Sequence, residues 1–201
     1  MFDRRNVVAV LLAGALAAGC SEGTTDPPDT ADRLSEAESL ALFEAMRAVQ
    51  GDTAATIIGG SENSLVIACP LGGQITITID VVEESVGDTA RLRSDFTAAP
   101  SGCQVSSGGM RFTVDGRPSV RERTVATIVG FFEAFTLEGS VTGALDWQSD
   151  GRSGSCDIDM TLSGELDSSG TEPSLAAVLA GTLCGHETRL DVDDVPGGPS
   201  G

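Results

Sequence analysis

The chain is 201 residues long, 40% hydrophobic and strongly acidic, with a formal net charge of −18. That length and apolar content are enough for one globular domain with its own core. All twelve basic residues are Arg, and so acidic a surface repels phosphate backbones, which excludes nucleic acid as a partner.

The first residues carry an address. Arg4 and Arg5 precede an apolar run of twelve residues, Val7 to Ala18, too short to cross a hydrocarbon layer of ~30 Å. Ala17, Ala18 and Gly19 then lead into Cys20. The run Leu16-Ala17-Ala18-Gly19-Cys20 resembles the lipobox of bacterial lipoprotein precursors. The resemblance implies that residues 1–19 are a signal peptide, that Cys20 is lipidated, and that the protein meets the membrane through that lipid. Ser21, where an Asp tends to retain such proteins at the inner membrane, implies the periplasmic face of the outer membrane, with surface exposure left open. Loss of residues 1–19 removes Arg4, Arg5 and Asp3 and takes the net charge to −19.

Residues 20–33 read as the lipidated cysteine and a polar tether with paired prolines, of reach ~20 Å. A helix is expected over residues 34–50, the first element of a single domain spanning 34–192. Ser35 and Glu38 have the spacing of a capping box. Leu42, Met46 and Val49 recur at helical spacing beside Leu34, Ala41, Ala45 and Ala48, and Gly51 supplies a stop.

From Ser64 onward the apolar period becomes two. Ile75, Ile77, Ile79 and Val81 form one register, and Ala90, Leu92, Phe96 and Ala98 a second. Met110, Phe112 and Val114 follow, before an expected turn at Gly116-Arg117-Pro118. The longest register runs from Phe135 to Trp147, answered by Cys156 to Leu166 and closed by Leu175 to Leu183. Gly59-Gly60 and Gly108-Gly109 read as turns, and residues 193–201 as a disordered tail. The fold class is mainly β: antiparallel sheet, as a sandwich or a curled half-barrel, with the helix packed on it. Gly139 and Gly143 fall on the apolar face of the long strand and mark bends or close backbone approaches.

Setting Cys20 aside leaves Cys69, Cys103, Cys156 and Cys184, an even number that predicts two disulfides in an oxidising compartment. Cys69 and Cys103 are centred on an expected turn at Glu84 to Asp88, and Cys156 and Cys184 on one at Ser168 to Thr171. The favoured pairing is therefore Cys69–Cys103 and Cys156–Cys184. Cys103 and Cys156, centred between Val129 and Gly130, keep a second connectivity open. The spacings are too long for a zinc site.

Asp146, Gln148, Asp150, Gly151 and Asp157 resemble a degenerate EF-hand calcium loop. Gln148 is a poor ligand, Asp157 is shorter than the usual Glu, and the flanks are strands. A hairpin loop over Ser149 to Ser155 is the preferred reading, with no metal and no cofactor expected. His186, the only histidine, reads as an exposed strand-end side chain. Arg111, Arg117, Arg121 and Arg123 could receive an anionic ligand, but pairing with Glu122 and Asp115 explains them more simply. With one His, no Tyr and no Lys, the stock of acid–base groups is thin, and no enzyme activity is expected.

Two functions remain from different classes. One is a structural or interaction module docking on an envelope partner. The other is a carrier whose sheet curls around a hydrophobic ligand such as a lipid. The apolar face of Phe135, Leu137, Val141, Leu145, Ile158, Met160 and Leu162 separates them: several hundred Å³ of free space favours the carrier, a filled face the module.

Overall fold

A capping box opens helix α1 (Glu36–Ile57). The Ser35 N–H donates to the Glu38 carboxylate at 2.7 Å, and the Ser35 hydroxyl accepts from the Glu38 N–H at 3.3 Å. Each end of the motif satisfies a backbone donor that the first turn leaves free. The helix does not stop at Gly51. It continues through that residue to Ile57, because a glycine inside a helix costs only about 1 kcal/mol and no proline follows to break the ladder. The computed structural model describes residues 33–57, 63–130, 134–167 and 174–191. The lipobox with Cys20, the tether as far as residue 32, Gly59-Gly60, the turn at 168–171 and the tail at 193–201 lie outside the described residues.

Among the described residues nine strands follow: β1 (Ser64–Ala68), β2 (Gln74–Val86), β3 (Thr89–Ser101), β4 (Cys103–Ser107), β5 (Met110–Val129), β6 (Ala134–Ser149), β7 (Arg152–Asp167), β8 (Ser174–Leu183) and β9 (His186–Asp191). They make one antiparallel sheet in the order β1-β2-β3-β5-β6-β7-β8-β9, with β4 paired to β5. The sheet is open. A helix, and not a second sheet, covers its apolar face.

The turn expected at Gly116-Arg117-Pro118 is a bulge inside the 20-residue strand β5. Gly116 pairs with Leu145 and Val120 with Gly143, so residues 117–119 stand opposite Ala144 alone. The insertion adds two residues and leaves the alternation in phase, so Val114 and Val120 share a face. Below the bulge β5 pairs with β4, and above it with β3.

Among the described side chains of the helix, Ser39, Ala41, Leu42, Phe43, Ala45 and Met46 are buried. At 100° per residue they cover an arc of about 200°, against the roughly 100° stripe of a helix lying on a flat surface. The sheet therefore curls around the helix. That wide contact explains why Phe43, outside the expected stripe, is buried, while Ala48 at the stripe's margin is exposed.

Gly143 shows how the curl is made. Its φ is +142°, and a Cβ there would lie 2.3 Å from the Ser119 carbonyl oxygen on the bulge of β5. At Gly139 a Cβ would meet the Arg123 carbonyl oxygen at 2.4 Å. Both glycines mark close approaches of the neighbouring backbone.

Candidate functional site

The trough between helix and sheet is the natural place to look for a ligand. Leu42 and Met46 from α1 fill it against Phe96, Val141, Ile158 and Leu183, leaving about 20 Å³ of free space, roughly room for one water. Of the face expected to discriminate between functions, Val141, Leu145, Ile158, Met160 and Leu162 are buried, and Phe135 and Leu137 half-buried.

Three side-chain contacts and one from a side chain to the backbone, all among described residues, seat the helix and its entry. Arg47 donates to Glu122, which β5 directs into the trough, in a pair only 25% and 21% exposed. Arg152, at the start of β7, donates to Glu38. Ser107 on β4 donates to Glu44 at 3.4 Å, and the His186 Nε2 lies 2.9 Å from the Leu34 carbonyl oxygen. His186 is thus half-buried and joined to the start of the helix, where a free strand-end side chain was expected. The Ser35 N–H, then Arg152, hold the Glu38 carboxyl below its ordinary pKa of 4.5.

Arg152 also stands over Trp147, its guanidinium carbon 5.7 Å from the ring centroid. Trp147 is 1% exposed, and its Nε1 has no hydrogen-bond partner among the described residues. None of Arg47, Glu122, Arg152 and Glu38 stood out in the sequence as a group, because their separations of 75 and 114 residues carry no local signal.

Both favoured disulfides are present, Cys69–Cys103 with Cα atoms 5.5 Å apart and Cys156–Cys184 with Cα atoms 4.1 Å apart. The first does not staple the two strands of the β2–β3 hairpin, whose register centres on Gly87-Asp88. Cys69 instead follows β1 and Cys103 opens β4, so the bridge ties the β1–β2 turn to the strand beside β5. The second joins β7 to the β8–β9 turn, where Cys184 has φ +49°.

The calcium-like residues sit on a tight hairpin. The turn is Asp150-Gly151 alone, with Ser149 paired to Arg152, much shorter than the expected loop over Ser149 to Ser155. Asp146 and Gln148 point outward from β6, opposite Ser155 and Ser153, and Asp157 lies further along β7 opposite Ala144. Asp146, Gln148 and Asp157 line two extended strands with Asp150 in the turn between them, and no loop encircles an ion. Among the described residues no group of three or more His, Cys, Asp or Glu side chains is placed to hold a metal ion.

The four arginines do not gather at one point. Arg121 donates through Nε to Asp95 at 2.6 Å, and Arg123 lies 3.3 Å from the same carboxylate. Those bonds, Arg121 first, pull the Asp95 pKa below 3.8. Arg117 pairs with Asp146 at 3.6 Å. Arg111 stands apart on an open cleft of about 500 Å³ with Gln104, Thr113 and Gln148. The expected partners are engaged elsewhere: Glu122 faces the helix, and Asp115 accepts the Gly102 N–H at 2.7 Å. Comparison with protein-family models, with curated proteins and with solved structures finds no match to this chain.

Proposed function

We propose that this chain is a lipid-anchored protein of the bacterial cell envelope and works as a non-enzymatic structural or interaction module. The lipobox-like run ending at Cys20 supports the anchoring. The observation that carries the module reading is the filled trough. With only about 20 Å³ free beneath α1, the apolar trough has no room for a ligand, and partners meet the outer surface and edges of the molecule.

Native mass spectrometry of protein extracted from its own membrane tests this reading against the carrier. The module predicts a mass accounted for by the polypeptide and the acyl groups on Cys20. A stoichiometric, non-covalent lipid would replace it with the carrier, the helix then swinging away to admit the ligand. A Cys20→Ala variant tests the anchor, since it should leave the membrane fraction or persist as the precursor.

A further inference from the structure

The seventeen residues between Glu62 and Asp80 carry no charge, the longest such run in a chain of net charge −18. They include the whole of β1 and the part of β2 that pairs with it, Gln74 to Thr78. Among the described residues β1 is a terminal strand of the sheet, and its sequence, Ser-Leu-Val-Ile-Ala, has no charge, proline or bulge to discourage another strand from pairing. The opposite terminal strand, β9, is guarded by Glu187, Arg189 and Asp191. The stretch of β2 beyond β1 is guarded by Asp80, Glu83 and Glu84.

The hydrogen-bonding phase of β1 shows which groups face out. The Ile79 N–H donates to the Asn63 carbonyl, so pairs two and four residues along, Leu65 with Ile77 and Ile67 with Ile75, also turn their backbone groups inward. Ser64, Val66 and Ala68 therefore direct theirs away from the sheet. These three positions are symmetric about Val66, whose side chain is 56% exposed. A second copy meeting this edge antiparallel, with the twofold axis at Val66, pairs Ser64 with Ala68 of the other copy and Val66 with itself. That arrangement makes about six backbone hydrogen bonds and joins two sheets into one.

We propose that β1 is a self-association edge through which two copies of this chain form a twofold dimer centred on Val66. Charge selects the occupant. Two strongly acidic molecules repel wherever like charges are opposed, and this uncharged corner is where they can approach closely. Five residue pairs are few for a stable interface, so the dimer is weak and concentration-dependent. Screening the remaining repulsion strengthens it as salt rises. The proposal does not depend on the lipid anchor.

The test uses the full-length chain in the cells that make it, whether or not it is membrane-bound. In the dimer the two Val66 Cα atoms lie about 5.5 Å apart, inside disulfide reach. Val66→Cys should give a reducible dimer on a non-reducing gel, whereas Glu187→Cys on β9 should not. For the purified chain, sedimentation should show dimer increasing with salt from about 0.05 M to about 0.5 M. Val66→Lys should lower the association constant at least tenfold, with Trp147 fluorescence reporting that each variant is folded. Four results overturn the proposal: no Val66→Cys dimer, equal crosslinking at position 187, a dimer insensitive to Val66→Lys, or a Val66→Cys crosslink made only to a different protein.

Discussion

Arg47 of the helix donates to Glu122 of β5 within a trough whose other lining is mostly apolar, Ser39 and Gln50 apart. Each group is three-quarters or more covered, so neither can be removed alone without leaving a poorly solvated charge. Arg47→Ala and Glu122→Ala should each destabilise by about 2 kcal/mol. The double variant Arg47→Ala/Glu122→Ala should cost clearly less than the two single changes together. Urea midpoints across this double-mutant cycle check the coupling, and additive losses would contradict it.

Gly143 tests the geometry of the curl. Its φ of +142° is closed to ordinary side chains, and the Ser119 carbonyl occupies the place of a Cβ. Gly143→Ala should cost about 3 kcal/mol or prevent folding. Alanine at Gly87, where a Cβ would meet nothing within 4 Å, should carry only the smaller penalty of a left-handed turn residue. Similar thermal midpoints for the two variants would show that the close approach to β5 does not exist in solution.

Acid should weaken the fold partly through two carboxylates. Glu38 and Asp95 both titrate lower in the native state than their ordinary values of 4.5 and 3.8. A carboxylate with a depressed native pKa contributes stability that is complete above its unfolded value and disappears as pH falls through the native one. The wild type should therefore lose stability below about pH 4.5, and Glu38→Gln with Asp95→Asn should flatten that limb while costing stability at pH 7. Unfolding curves measured from pH 7 to pH 3 decide it. Parallel curves would mean that neither partner set matters.

Each disulfide closes a loop of about thirty residues, Cys69–Cys103 with a separation of 34 and Cys156–Cys184 with 28. On the chain-entropy account, removing either pair of cysteines should cost about 3–4 kcal/mol. Non-reducing peptide mapping should recover these two linkages only. A Cys103–Cys156 peptide in native material would refute the connectivity.

The parts of the fold that were legible are those where one residue in two is apolar for long enough. Phe135 to Trp147 and Cys156 to Leu166 predict β6 and β7 with their facing register, and Ser35 with Glu38 predicts the helix start. β9 carries no period-two signal, because His186 to Asp191 contains one aliphatic residue, Leu190, and an edge strand needs little burial. The bulge at 117–119 has the sequence of a turn because glycine and proline punctuate turns and bulges alike, and only the partner strand, continuous from Gly143 to Leu145, tells them apart. The partners of Arg121 and Glu122 were beyond local reading for the same reason. Adjacent in sequence, they point to opposite faces, one to Asp95 and the other to Arg47.

The contacts at the start of the helix also define a load path. Leu34 is held by His186, two residues beyond Cys184, and Glu38 is held by Arg152, four residues before Cys156. A pull on the chain ahead of Arg33 is therefore delivered within one helical turn to the two sides of a covalent cross-link. The tension enters the sheet at its stapled end, as a rope is tied to a bolted ring, and need not unzip the strands to be borne.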